Sequence, residues 1–132
     1  MRTFKFRAWD KNKKYMFEVI GISWFANHSS IWQVSGYDIL EPIDNVDIMQ
    51  FTGLLDKNGR EIFEGDILEV NLTRRDGFCG KVVWRNNGWR IKNIDARPIK
   101  ESDRIWDMNH ENMLIIGNIY ESPELLEGKE QR

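Results

Sequence analysis

Residues 49–70 read M-Q-F-T-G-L-L-D-K-N-G-R-E-I-F-E-G-D-I-L-E-V, and they carry the clearest structural signal in the chain. Two apolar runs, Ile48–Leu55 and Ile62–Val70, flank the tetrad Asp56-Lys57-Asn58-Gly59. Asn-Gly between such runs predicts a β-hairpin, because both residues tolerate the positive φ that a tight turn requires. A second turn signal, Glu64-Gly65-Asp66, precedes a further alternating stretch. The segment therefore specifies fold, and it contains no grouping of nucleophile, base and oxyanion donor.

More hairpins are predicted on either side of this stretch. In residues 3–8, apolar and polar side chains alternate with the period of two that indicates a strand with one buried face. A polar turn at 10–14 and a β-like segment from Tyr15 complete a hairpin within the first 22 residues. In the second half, the turn Asn86-Asn87-Gly88 separates two further strand-like segments. We expect at least one residue with positive φ in each Asn-Gly turn.

Several short strands with glycine-bearing turns and little helix favour a mainly β fold. Residues 60–120 have room for five short strands, the number in a small barrel, although the pattern alone leaves barrel and sandwich open. A short helix is predicted to begin at Ser122-Pro123-Glu124, because Ser is a favoured N-cap and Pro a favoured first helical residue. Gly128 and a charged tail limit its length.

The composition is that of an ordinary globular protein. It is 41% hydrophobic and 30% charged, and a chain of 132 residues can bury most of the apolar surface it contains. No apolar run approaches the ~20 residues that span a bilayer, and the charged N-terminus is unlike a secretory signal. Cys79 is the single cysteine and there are two histidines, so we expect no internal disulfide, metal or cofactor. The expected location is the cytoplasm.

The net charge of −2 hides a segregation of charge along the chain. Residues 1–15 carry six Lys/Arg against one acid, and residues 74–104 carry nine against four. Residues 16–73 carry two against ten, and residues 105–132 carry two against six. This alternation allows oppositely charged segments to pack against each other within one chain or between subunits, and it also leaves a basic face available.

The candidates for catalysis are weak. His110-Glu111 begins like a helical zinc motif, but Leu114 occupies the position of the second histidine. The carboxylates of Glu64-Gly65-Asp66 adjoin a glycine turn, where an acid usually accepts hydrogen bonds from backbone amides. No glycine has the spacing and following Lys-Ser/Thr of a phosphate-binding loop. We therefore expect a protein that is not an enzyme.

The basic stretch 74–104 supplies the candidate partner-binding residues. In the predicted hairpin around Asn86, basic positions alternate with tryptophans and can form one basic stripe, depending on the register of the two strands. Single-stranded nucleic acid requires this combination, charge for phosphates and rings for bases. Aromatic residues at alternating positions are also typical of the core of a small barrel. The candidates are Arg74, Arg75, Lys81, Arg85, Trp89, Arg90 and Lys92.

Three blocks of the sequence resemble the YopX family, small proteins encoded by bacterial phages and prophages. The blocks are Lys5-Phe6-Arg7-Ala8-Trp9-Asp10-Lys11 with Tyr15-Met16, then Thr52-Gly53-Leu54 through Asp66-Ile67, then Ile116-Gly117-Asn118-Ile119-Tyr120-Glu121-Ser122-Pro123-Glu124-Leu125-Leu126. The resemblance implies a phage or prophage origin and an SH3-like barrel in the C-terminal half. It implies no reaction.

These observations predict an N-terminal β-rich subdomain at 1–56, an SH3-like barrel subdomain at 57–126 and a charged tail at 127–132. The functional hypothesis is a non-enzymatic protein-interaction or self-assembling module of the bacterial host cytoplasm, with no membrane role. The alternative is a nucleic-acid-binding accessory protein that uses 74–104. Acids outnumber bases in the whole chain and oppose nucleic acid, so a protein partner or a homo-oligomer is favoured.

Overall fold

A computed structural model describes residues 3–23, 32–71, 77–94 and 109–126. Within these ranges the protein is mainly β. Short 3-10 turns lie at Ile43–Asn45 and His110–Asn112, and residues 124–126 are helical. The strands are β1 Phe6–Asp10, β2 Tyr15–Glu18, β3 Gly21–Ser23, β4 Gln33–Ser35, β5 Leu40–Pro42, β6 Val46–Leu55, β7 Glu61–Phe63, β8 Asp66–Asn71, β9 Gly77–Arg85, β10 Gly88–Asn93 and β11 Met113–Asn118. In the described ranges, no helix has the length and apolar character needed to cross a membrane.

The chain forms two compact units, Met1–Phe51 and Thr52–Arg132. The division falls inside β6, between residues 51 and 52, whereas the sequence placed it between 56 and 57 at the turn that follows this strand. A long strand that begins in one unit and ends in the other has no turn signal at the point of division. The predicted charged tail at 127–132 lies outside the described residues.

The first unit contains the predicted N-terminal hairpin. β1 pairs antiparallel with β2 from Arg7↔Glu18 to Asp10↔Tyr15, and β1 also pairs with the first half of β6. The four-residue turn between the two strands ends at Lys14, which has a φ of 59°. The buried side chains of Ala8, Val34 and Val46 form the core of this unit.

A second, three-stranded sheet in this unit has the order β3-β4-β5. Val34 in its middle strand is fully buried, while the next residue along the strand, Ser35, is half-buried. The Gly36 N–H donates to the Ile39 carbonyl at 2.9 Å and closes the turn between β4 and β5. Tyr37 and Asp38 form the exposed tip of this turn, and we call them the Tyr37–Asp38 tip.

Oppositely charged segments pack against each other within the first unit, as the charge pattern allows. Lysines of residues 1–15 form surface ion pairs with acids of residues 16–73. These pairs are Lys5 with Glu18 at 3.9 Å, Lys11 with Asp47 at 3.5 Å and Lys13 with Glu41 at 3.6 Å. Surface pairs of this kind contribute little stability, but they neutralise three of the six basic residues in the N-terminal stretch.

The second unit is built on a curled four-stranded sheet of order β10-β9-β8-β11. The register of β11 on β8 shifts between Ile115 and Gly117, and such a bulge bends a strand and increases its twist. The five strands expected in residues 60–120 are β7 to β11, although β7 pairs with the end of β6. The predicted mainly β fold with a small barrel-like region and a short C-terminal helix is confirmed.

Both Asn-Gly turns adopt the backbone that the sequence predicts. Gly59 has a φ of 79° in the loop between β6 and β7. Asn86 and Asn87, with φ of 52° and 60°, form a two-residue connection between β9 and β10, as in a type I′ turn. Gly88 is already the first residue of β10.

The concave side of the curled sheet holds the core of the second unit. Leu68 and Val70 of β8 meet Val82 of β9, and other strands complete the cluster. Its buried members are Ile62, Leu68, Val70, Val82, Trp89, Ile91, Met113 and Ile115. This core fixes which face of the β9–β10 hairpin is turned away from solvent.

Gly59→Val should lower the free energy of unfolding by roughly 1–2 kcal/mol, because a β-branched residue is strained in the left-handed region. A Cβ at Gly59 would meet no atom within 4 Å, so the cost comes from the backbone alone. Urea denaturation measures it. Gly59→Asn is the matched control and should recover most of the loss, since Asn tolerates positive φ. A midpoint unchanged by the valine would argue against this turn.

Candidate interaction surfaces

The register of the β9–β10 hairpin decides which predicted binding residues share a face. Lys81 lies directly opposite Lys92, and Arg90 lies opposite Val83. Side chains of paired residues point to the same side of a sheet, and so do residues two apart on a strand. Lys81, Lys92, Arg90 and Arg85 therefore share one face. The predicted candidates Arg74 and Arg75 lie outside the described residues.

These four basic residues differ in exposure. Arg85 is exposed, and Lys81 and Lys92 are half-buried. Arg90 is only 7% exposed, and its Nε donates to the Arg85 carbonyl at 3.1 Å. A guanidinium held in this way is part of the packed hairpin, so the residues do not form one open basic stripe. The side chains within reach of a partner are Lys81, Lys92 and Arg85.

Lys81 and Lys92 form what we call the lysine pair. Neither makes an ion pair with any residue in the described ranges. The nearest acid along that face of β8 is Glu69, two residues from the Ile67 that pairs with Lys81, so it is a diagonal neighbour. Like charges directly opposite each other destabilise a sheet. The pair is therefore an unneutralised positive charge that the fold retains.

Trp89 lies on the other face of the hairpin. It is 7% exposed and belongs to the core of the second unit, so it does not share a face with the basic residues. Its cross-strand partner Trp84 is 54% exposed and contacts it edge-on, with ring centroids 4.9 Å apart. The tryptophan of this hairpin that a ligand can reach is therefore Trp84, which alternation alone does not distinguish from Trp89.

Large apolar side chains are exposed mainly in the first unit, a feature that the sequence analysis missed. The most exposed is Tyr37, at 77%. Its position between a glycine and an aspartate in a turn is the signal that could have identified it. The exposed set in the described residues is Phe4, Tyr15, Ile20, Trp32, Tyr37 and Leu40 in the first unit, with Leu55 and Trp84 in the second.

An open groove of about 560 Å³ lies where the β1–β2 ladder ends. Beside the groove, the Val19 N–H donates to the Phe6 carbonyl at 3.0 Å. Residues 3–6 form one wall and residues 18–22 the other, so Phe4 and Ile20 line the same groove. A second groove, of about 420 Å³, is lined in the other unit by Gly53, Leu54, Leu55, Asn109, His110 and Met113.

The buried carboxylates of Asp56 and Asp66 stabilise chain turns by accepting hydrogen bonds from backbone N–H groups. Asp56 Oδ1 accepts hydrogen bonds from the backbone N–H groups of Asn58 and Arg60, both at 2.9 Å, and Oδ2 accepts one from Ile115 at 3.1 Å. Burial raises the pKa of Asp56, but the three N–H groups and the Arg60 charge outweigh it and hold the pKa below its ordinary value. Asp66 accepts from the Phe63 N–H at 2.8 Å, as expected for an acid in a glycine turn.

A protein metal site needs several His, Cys, Asp or Glu side chains close together. In the ranges that the structure describes, no three such side chains come together. Cys79 is a half-buried free thiol on β9.

Comparison with known proteins assigns the family. Residues 5–127 match the family described as YopX protein. Protein EF1440 from Enterococcus faecalis has a similar crystal structure, with a TM-score of 0.63 and 26% identity over 96% of this chain and 99% of that one. Protein yopX from Bacillus subtilis shares the fold, with a TM-score of 0.61 and 19% identity over the same fractions. No curated protein matches the sequence. Since the family match covers nearly the whole chain, this protein belongs to the YopX family.

Proposed function

We propose that this protein is a non-enzymatic, phage- or prophage-derived module that acts in the bacterial cytoplasm by binding a protein partner, which can be a second copy of itself. The observation that carries the proposal is the open groove of the first unit, where Phe4 and Ile20 are 68% and 53% exposed. Adjoining exposed apolar side chains on a monomer mark an interaction site when a polar rim surrounds them. Here the Lys5–Glu18 ion pair lies on the groove wall.

The buried carboxylates hold backbone N–H groups, which supports a binding role over catalysis. Asp10, Asp56 and Asp66 are buried, and each accepts at least one backbone N–H bond. A general acid or base must exchange a proton with a substrate, and a carboxylate that holds a turn is poorly placed to do so. These residues serve the fold.

Self-association should be visible by light scattering. At low salt and high protein concentration, we expect a mass above the 15.7 kDa of one chain, falling toward that mass as salt screens the segregated charges. Ile20→Asp, in the groove, should reduce association. Leu55→Asp in the other unit is the matched control and should leave it unchanged. A mass of one chain under all conditions would reject self-association.

A nucleic-acid-binding accessory role is the second candidate. It is favoured by one observation, the shared face of Lys81, Arg85 and Lys92. Binding of a short single-stranded oligonucleotide at increasing salt tests it, because each neutralised phosphate contributes about −0.7 to the log–log slope. Alanine at Lys81 and Lys92 should flatten that slope if the phosphates lie there. The buried Trp89 offers no stacking surface on this face.

A further inference from the structure

The positive charges of the lysine pair repel each other, and no described residue neutralises them. The two ammonium-bearing side chains extend from directly opposed positions and are half-buried, so water screens their repulsion less than at a fully exposed site. No carboxylate in the described ranges pairs with either lysine. An anionic group placed between the two side chains would remove the repulsion and gain two attractions.

Most described carboxylates of the first unit are already engaged. Asp10 accepts backbone N–H bonds from Asn12 and Lys13, and three further acids take part in the ion pairs with the N-terminal lysines. Asp38 is exposed and has no such partner in the described ranges. It also adjoins Tyr37, and in those ranges no other acid lies beside an aromatic side chain of comparable exposure.

We propose that the Tyr37–Asp38 tip of one copy docks on the lysine pair of a second copy. The proposal rests on the self-association proposed above and names a second contact, which adds to that of the groove. The Asp38 carboxylate enters between the two ammonium groups, and the Tyr37 ring packs on a lysine stem, where the ammonium gains a cation–π contact. Val83 is half-buried on the same face and adds apolar surface.

The physical features of the tip suit such a contact. A closed turn of four residues between two strands presents Tyr37 with little conformational freedom to lose on binding. Tyrosine is one of the side chains that dominate interface energetics. A hairpin tip buries far less than the ~800 Å² per partner of a stable interface, so this contact by itself is weak and reversible. Its dependence on one carboxylate and two lysines makes it sensitive to salt.

Charge reversal on each side tests the contact by sedimentation velocity at low and high salt. Asp38→Lys and Lys92→Glu should each weaken self-association at least about tenfold. Because the first variant keeps an intact lysine pair and the second keeps an intact tip, an equimolar mixture should form one-to-one pairs. Asp44→Lys makes the same charge change at another exposed acid and should associate like the wild type. Lys92→Glu should also melt no lower than the wild type, since it relieves the repulsion.

The outcomes are distinguishable. If the wild type associates and both reversals associate equally well, the docking contact is wrong and self-association stands. If the wild type is monomeric throughout, the proposed self-association and the docking contact both fail. If each variant is impaired but the mixture does not pair, the tip and the lysine pair are not partners. If Lys92→Glu abolishes oligonucleotide binding while Asp38→Lys leaves self-association intact, the lysine pair is a phosphate site and the docking proposal is overturned.

Discussion

Replacing Trp89 by Ala should lower the free energy of unfolding by about 3–5 kcal/mol, the usual cost of removing a buried tryptophan. Trp89 is 7% exposed and packs in the core of the second unit. Its cross-strand neighbour Trp84 is more than half exposed, so Trp84→Ala should cost about 1 kcal/mol, mainly the lost edge-on ring contact. Urea denaturation followed by circular dichroism measures both.

The pair is its own control, because the two residues have the same size and share the same ladder position. Equal losses for the two variants would contradict the placement of Trp89 in the core. The comparison also bears on the nucleic-acid alternative. Weaker oligonucleotide binding by Trp89→Ala counts as lost stacking only if that variant remains folded, whereas Trp84→Ala tests the accessible ring directly.

Asp56→Asn should destabilise the protein by about 3 kcal/mol at neutral pH, because hydrogen bonds to a charged group are each stronger than neutral ones. The carboxylate joins the loop after β6 to the Ile115 N–H of β11, 59 residues away in sequence. An amide cannot replace both oxygens as acceptors, so at least one N–H group loses its partner. Thermal or urea unfolding across pH measures the loss.

The difference in the free energy of unfolding between the wild type and Asp56→Asn should depend on pH in a defined direction. The pKa of Asp56 is lower in the folded state than its ordinary value of 3.8. The ionised form therefore contributes its full stability above the unfolded pKa, and this contribution disappears as pH falls through the folded value. We expect a constant gap from pH 7 to about 5 that narrows below about pH 4. Asp38→Asn, at an exposed site, should leave the free energy of unfolding at neutral pH unchanged. A difference that is undiminished at pH 2 would contradict the role of Asp56.

Local chemistry was enough to predict the elements that depend on neighbouring residues. Asn86 and Asn87 accept positive φ, so the turn between β9 and β10 follows from the residues themselves. The alternation near the N-terminus predicted the β1–β2 hairpin in the same way. Whether Lys81 and Lys92 share a face depended on the register of the hairpin, which alternation leaves open and the structure supplies. Likewise, an acid beside Gly65 was expected to bond a backbone amide, and Asp66 does so.

Burial, in contrast, was decided by the tertiary structure. Trp84 and Trp89 lie on one face of one hairpin, yet one is exposed and the other is core, and on the opposite face Arg90 is buried while Arg85 is exposed. Alternation tells which side chains point the same way, but which part of a face is covered depends on segments far away in sequence. The hydrogen bond from the Ile115 N–H to Asp56 also joins residues that only the tertiary structure brings together. The turns and the alternation of side chains along each strand follow from the residues alone, because they depend on backbone sterics and side-chain period. Three-dimensional packing set the register between strands and which residues remain accessible to a partner.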